Sequence, residues 1–336
     1  MTRPSSAGDS PELVAFGEAL IAFVARPAGP LHEATHFSAH VAGAESNVAI
    51  GVARLGHRVS FAGRVGDDAF GSMIVRRLLA EGVATEHLVR DSAAPTGLLF
   101  RNLREFPPPE VAYRRAGSAG SRLSPDDVRA VLDGLAPGTV VHVSGVTPAL
   151  SESCLAAVHV LAETAQAREM QLFVDVNYRT RLWNTNEAVP VLRNLVASAS
   201  IVTASQHEAA LLTGEANPVD AAAALARLGP RTAVIRDDTL GAVASTGSHG
   251  PPIVVPSQVA RRAVDPVGAG DAFNAGLVAS LLEGQSLPDA IATAHLCGAA
   301  AVGVIGDIEG LPTRQELIPH ADDVRRLSTC SPLMDG

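Results

Sequence analysis

The chain has 336 residues, 47% of them apolar but only 4% aromatic, and a formal net charge of −9. That length suits one large α/β domain with an appendage, or two domains, and the core must be filled by small aliphatic side chains. The charge argues against general nucleic-acid binding, and no apolar run reaches the roughly 18 residues of a membrane span.

Residues 1–10 are polar, contain Ser, Gly and Pro, and lack the apolar stretch of a signal peptide, so a tail is expected. Glu12 to Gly17 reads as a buried strand. Residues 18–40, with Pro27, Gly29 and Pro30, suggest short strands and turns. Apolar residues at helical spacing predict a helix over Ala44–Leu55, stopped by Gly56, and another over Gly71–Gly82, with a strand over Arg58–Val65 between them. Thr96 to Arg115 again predicts strand–turn–strand, with Phe106-Pro-Pro-Pro109 at the turn.

From there helices and strands alternate. Strands are expected at Thr139–Ser144, Gln171–Val176, Ile201–Ala204, Ala233–Arg236 and Gly241–Ser245. Helices are expected at Ser151–Arg168, Pro190–Ala199, His207–Thr213, Pro218–Leu228, Ala272–Glu283 and Leu287–Val304. Such alternation predicts an α/β fold, a doubly wound and mostly parallel sheet with helices on both faces, in which ligands sit at strand C-termini. The expected core is 11–17, 41–96 and 117–320. Residues 18–40 and 97–116 form a small β-lid, and 321–336 a C-terminal tail. Cys154, Cys297 and Cys330 stand far apart without metal spacing, which suits a reducing cytoplasm.

The most informative stretch is Val264-Asp-Pro-Val-Gly-Ala-Gly-Asp-Ala-Phe273. Its glycines let a polyanion approach the unpaired amides and positive end of a helix N-terminus. An aspartate there would repel phosphate. Asp271 makes sense as a base that takes a proton from a hydroxyl while main-chain amides stabilise a transferring phosphoryl group. No G-x-x-x-x-G-K-[ST] motif occurs, and no G-x-G-x-x-G of a dinucleotide fold. A second string, Val41 to Ile50, opens a helix with Gly43 and Ala44 and displays Glu45, Ser46 and Asn47 in its first turn. Asn47 can donate to and accept from hydroxyls.

Asp265 to Phe273 resembles the C-terminal signature of the ribokinase-like sugar kinases, the pfkB family. Gly43 to Asn47, with Ala53-Arg-Leu-Gly56 and Gly63-Arg-Val-Gly-Asp67, resembles its N-terminal signature. Further strings at 43–47, 113–121, 142–150, 175–183 and 306–312 resemble the 2-keto-3-deoxygluconate kinase branch, and the resemblance runs from about residue 12 to about 318.

The resemblance implies a ribokinase-like fold whose lid closes over a sugar, and ATP-dependent phosphorylation of a sugar acid, 2-keto-3-deoxygluconate, to its 6-phosphate. Asp271 would be the base, and Gly268, Ala269 and Gly270 the anion hole. Gly43, Asn47, Tyr113, Arg115, Asn177 and Arg179 would orient the sugar acid, whose carboxylate matches the arginine fork. Ser205, Arg236 and Gly241 would contact the nucleotide. Glu208 would hold Mg²⁺ through water, and Asp265 would lie near a monovalent cation such as K⁺. The implied partners are small molecules and further copies of the chain paired through the lid, in the cytoplasm.

Other readings stay open on the residues alone. Arg115 and Arg179 also read as surface ion pairs, Glu208 as a helix N-terminal acid, and Asp175 as a hydrogen-bonded structural acid. The chain departs from the family pattern at Arg236-Asp-Asp-Thr-Leu-Gly241, where Lys-x-Gly-x-x-Gly is usual and Asp238 replaces a glycine. Leu99 stands where some relatives carry a lid tyrosine, and Pro266 replaces the commoner threonine. A kinase for fructose, ribose or a deoxy-keto-inositol acid, or a non-catalytic sugar-binding protein on the same fold, are the alternatives.

Overall fold

The computed structural model describes residues 12–103, 110–237, 239–247, 250–257 and 264–320. The expected tails, the Phe106–Pro109 turn, Asp238 and Cys330 lie outside them. The strands are β1 (Leu13–Phe16), β2 (Leu20–Arg26), β3 (His36–Ala42), β4 (Val59–Gly66), β5 (Val83–Ala84), β6 (Leu88–Asp91), β7 (Leu98–Arg101), β8 (Val111–Arg114), β9 (Val140–Ser144), β10 (Gln171–Asp175), β11 (Ile201–Ser205), β12 (Thr232–Asp237), β13 (Gly241–Ser245) and β14 (Ile253–Val255). The helices are α1 (Ala44–Arg54), α2 (Ala69–Ala80), α3 (Pro125–Leu132), α4 (Glu152–Ala167), α5 (Thr185–Ser198), α6 (Gln206–Thr213), α7 (Pro218–Arg227), α8 (Ala269–Leu282), α9 (Leu287–Ala301) and α10 (Arg314–Leu317).

Side chains of β1 alternate between two cores. Leu13 and Ala15 pack on one face of the sheet with α1, α2, α8 and α9. Val14 and Phe16 pack on the other with α3 to α7. A strand covered on both faces is apolar throughout, which is why β1 reads as an unbroken apolar run rather than an alternating one. The main sheet has the order β14-β13-β12-β11-β10-β9-β1-β4-β5, with β6 on β4. It is parallel from β12 to β5, and β13 and β14 return antiparallel. This is the ribokinase-like α/β fold.

A second sheet of four strands, β3-β2-β7-β8, stands outside that layer. It is built from the two insertions, and β3 continues two residues past the expected boundary, to Ala42, directly into the Gly43 turn that starts α1. Among the described residues no helix is long and apolar enough to cross a membrane. Cys154 and Cys297 are buried free thiols.

Two helix starts lie three or more residues from expectation. α5 begins at Thr185, not Pro190, because Asn184 and Glu187 form a reciprocal capping box that starts the helix earlier and leaves Pro190 in its interior. α8 begins at Ala269, three residues before the expected start. Gly268 adopts the left-handed conformation at φ 82 and turns the chain directly into the helix. A Cβ at Gly268 would also stand 2.5 Å from the Asp307 carbonyl oxygen, so no other residue fits there.

The cores bring α1 and α8 side by side. A Cβ at Gly51 would lie 2.5 Å from the Ala275 Cβ, so the glycine sets how closely these helices approach. Gly51→Val is expected to destabilise the protein by about 1–3 kcal/mol through overpacking, read as a lower urea midpoint. An unchanged midpoint would show that the two helices are not locked at this distance.

Candidate active site

Among the described residues, eight of ten α-helices carry a side-chain N-cap: Asp68, Ser124, Ser151, Asn184, Ser205, Asn217, Ser286 and Thr313. The two without one, α1 and α8, begin at Gly43 and Gly268. Both of these glycines line the same cleft, of about 240 Å³, under the small sheet. An uncapped helix start leaves amide donors and a positive dipole end for a ligand. In α8 the amides of Gly270 and Asp271 have no acceptor among the described residues. A larger groove, of about 390 Å³, is lined by Leu55, Glu283 and Arg314. There the charges of Glu283 and Arg314 pair with each other, so volume alone does not mark the site.

Asp271 stands in the first turn of α8, and its Oδ2 accepts a 2.7 Å hydrogen bond from Asn47 Nδ2 in the first turn of α1. The Oδ1 of Asn47 is buried without a partner among the described residues, which leaves an acceptor beside Asp271. Burial pushes the Asp271 carboxyl up to about 8. The Asn47 bond and the Arg179 charge oppose that rise, while Asp175 and Asp307 add to it. The residue is only half-buried, so water in the cleft moderates the effect. Next to Asn47, Glu45 lines the cleft wall but offers almost no exposed surface. It turns inward, is buried, and accepts bonds from Ser144 N, Ser144 Oγ and Thr147 Oγ1 at 3.1, 2.7 and 2.6 Å.

Tyr113 and Leu99 are register partners on β8 and β7, so both project on the cleft side of the lid. Arg115 lies 5.5 Å from the Tyr113 ring centroid. Its guanidinium, however, is already paired. Glu18, which is buried, accepts from Arg115 Nε at 2.7 Å and from Ser118 Oγ at 2.5 Å. Arg179 lines the same cleft, is exposed, and makes no side-chain hydrogen bond or ion pair among the described residues. Asn177 sits at the end of β10 in the left-handed region, at φ 36.

Toward β12 the charges interlock. Asp175 accepts from Arg236 Nη2 at 3.1 Å and from Thr203 Oγ1 at 3.2 Å. Arg236 Nη1 donates to Asn274 Oδ1 at 3.0 Å. A Cβ at Gly270 would stand 3.7 Å from Arg236 Cζ, so this guanidinium abuts the α8 helix mouth. Ser205 and Glu208 form a capping box at the start of α6. The Glu208 oxygens accept from Tyr178 N and Ser205 N, each at 2.7 Å. Gly241 has φ 92 and a Cβ there would lie 2.3 Å from Ser257 N, so it closes the β12–β13 hairpin.

Beneath the helix mouth, Asp265 is buried and held by Arg101 of β7, with Nη1–Oδ1 at 3.2 Å and Nη2–Oδ2 at 2.6 Å. It also accepts from Val267 N and Gly306 N. The carboxylate expected beside a monovalent cation thus faces a guanidinium. Burial raises the nearby Asp307 carboxyl to about 6, with Asp265 and Glu309 adding to the rise and Arg101 opposing it. Glu18, Arg101 and Asp307 were not singled out from sequence. Glu18 follows a strand end and Asp307 lies in the 306–312 string, so both carried a signal; Arg101 carried none.

A base must lose its proton to act. A carboxyl raised to about 8 predicts that kcat/KM, which reports the free enzyme, rises with pH through that region and levels above it. Arg179→Met removes a charge that favours the ionised form, so the rise should move to higher pH. A flat profile from pH 6 to 9, or no displacement in the variant, would contradict this arrangement.

Residues 10–314 match the family model described as pfkB family carbohydrate kinase. The chain is 36% identical to a 2-dehydro-3-deoxygluconokinase of Bacillus subtilis, covering 91% of this chain and 94% of that one. It is 37% identical to one of Thermoproteus tenax, covering 90% and 92%. A probable fructokinase of Arabidopsis thaliana is 32% identical over 91% and 95% of the two chains. Among solved structures, a PfkB protein from Polaromonas superposes with a TM-score of 0.81 at 34% identity, covering 92% and 99%. A Pyrococcus horikoshii sugar kinase in complex with ATP gives 0.79 at 27%, covering 93% and 99%. With these matches along nearly its whole length, the chain belongs to the pfkB family of carbohydrate kinases and is a sugar kinase.

Proposed function

We propose that this sugar kinase transfers the γ-phosphoryl group of ATP to the terminal hydroxyl of 2-dehydro-3-deoxygluconate, the compound also called 2-keto-3-deoxygluconate. One observation carries the reading: Arg179, without a partner among the described residues, lines the same cleft as Asp271 and the open α8 amides. A sugar acid supplies an anion for that guanidinium, and a neutral sugar does not. The two relatives that match at 36% and 37% identity carry this activity in their names.

In this reading Gly43, Asn47 and Tyr113 hold the sugar, with the Asn47 Oδ1 accepting from a hydroxyl. Arg115, neutralised by Glu18, presents that pair to the sugar rather than a bare charge. Asp271 takes the proton of the terminal hydroxyl as its oxygen attacks the γ-phosphorus. The bond to the β–γ bridging oxygen breaks, and ADP leaves with that electron pair. The amides of Gly270 and Asp271, with Arg236 beside them, stabilise the charge on the transferring group. Desolvation of Asp271 favours its neutral form, while the positive helix end and the Arg179 charge favour the ionised form that acts as the base.

Among the described residues no group of three or more His, Cys, Asp or Glu side chains could hold a metal. The Glu208 oxygens are committed to amide donors, which suits contact with a metal's water shell rather than direct ligation. A magnesium ion would thus come bound to the nucleotide phosphates and supply charge neutralisation there. The outer edges of β3 and β8 are unpaired within the lid, and assembly of copies through the lid is part of this reading.

A second reading, phosphorylation of fructose, draws on the 32% identity to fructokinases and on the neutralised Glu18–Arg115 pair. A coupled assay across keto-deoxy acids, hexoses and pentoses separates the two, and higher kcat/KM for fructose than for the sugar acid would refute the first. Arg179→Leu should lower kcat/KM for the sugar acid far more than for a neutral hexose; equal losses would remove Arg179 from carboxylate recognition. Asp271→Asn should cut kcat by ~10²–10⁴ while ATP binding by calorimetry survives. Turnover near that of the unaltered enzyme would end the assignment of the base.

A further inference from the structure

Arg101 is the last residue of β7, a strand of the lid, and yet its side chain leaves the lid to end under the anion hole. The residue is 3% exposed. Its fork meets both oxygens of Asp265, and Nη2 also reaches Asp307 Oδ1 at 3.4 Å. These acids are not bystanders to the helix mouth. Asp265 accepts from Val267 N and Gly306 N, so it fixes the chain one residue before Gly268 and ties it to the 306 loop. The Asp307 carbonyl backs Gly268 so closely that no Cβ fits between them. Gly268 in turn sets the direction of the first α8 amides.

Without a cation the two carboxylates would be desolvated and would repel each other at this spot. A second contact repeats the connection from another lid strand: His40 of β3 meets Glu309 at 2.8 Å. The two insertions therefore each send one basic side chain to the loops that shape the anion hole.

We infer that Arg101 is a positioning residue: through its bidentate pair with Asp265 it couples the lid to the 265–268 turn and so sets the geometry of the α8 amides at the reacting phosphoryl group. This rests on the cleft being the phosphoryl-transfer site and not on which sugar is used. It places the cost of losing Arg101 in the transition state, where the amides act, and not in sugar binding.

The test uses Arg101→Met and Arg101→Lys in the full chain, with whichever sugar the unaltered enzyme phosphorylates fastest. Arg101→Met is expected to lose about 10- to 100-fold in kcat, the scale of a small misplacement of a reacting group, with the sugar KM changed less than about threefold. Arg101→Lys keeps the charge but not the fork, so its kcat should fall between the two. Adding Asp265→Asn to Arg101→Met should cost little more, because both remove one interaction. Hydrogen exchange gives a readout that needs no turnover and separates failure of this inference from failure of the proposed reaction. In either Arg101 variant the amides of residues 264–272 should exchange faster while α4, on the far face of the sheet, does not. A kcat within twofold of the unaltered enzyme in Arg101→Met, a loss confined to sugar KM, or unchanged exchange across 264–272 would overturn it.

Discussion

An α-helix exposes four backbone amides at its start, and in this protein the two helices that meet at the cleft are the ones whose amides are not answered by a side-chain cap. That single omission organises the site. Glycine at both positions removes the competing cap and also lets the backbone turn, with φ of 141 at Gly43 and 82 at Gly268. The other eight helices among the described residues are capped in the usual way, so the omission is local. A helix mouth left open inside a fold needs an external anion, and a transferring phosphoryl group is one.

The open mouth also explains the density of charge around it. Asp271, Asp175, Asp265, Asp307 and Glu18 all lie in or beside a cleft that must bind polyanions. Taken alone they would make it repulsive. Each is answered by a placed donor: Asn47 for Asp271, Arg236 for Asp175, Arg101 for Asp265 and Asp307, and Arg115 for Glu18. Among the described residues Arg179 is the arginine of the cleft left over from this pairing, which is what the proposed reading of a substrate carboxylate draws on. Burial acts in the same direction on Asp271 and Asp307, raising both carboxyls.

Rigidity comes from the packing behind the cleft. Gly51 against Ala275 brings α1 and α8 close enough for a 2.7 Å bond between Asn47 and Asp271, which are 224 residues apart in the chain. The small sheet adds Tyr113 and Leu99 to the cleft wall and sends Arg101 to Asp265, just ahead of the start of α8.

Much of this was legible in the residues. The alternation of helices and strands marked a sheet covered on both faces, and Gly43, Gly268 and Gly270 marked the two helix mouths, because backbone freedom is a local property. The Ser-Pro-Asp-Asp start of α3 and the Asn184–Glu187 box of α5 were equally local signals that went unread. Pairing was not local. Nothing near Arg101 in the chain announces Asp265, and nothing near Arg115 announces Glu18, since each pair joins a lid segment to a core segment and exists only once both sheets are in place. The chain by itself determined which backbone would be left open to an anion and which carboxylate would stand there. Only the tertiary structure decided which cations would be used up inside the protein and which would remain for the ligand, because a charge finds its partner by distance in space and not by position in the sequence.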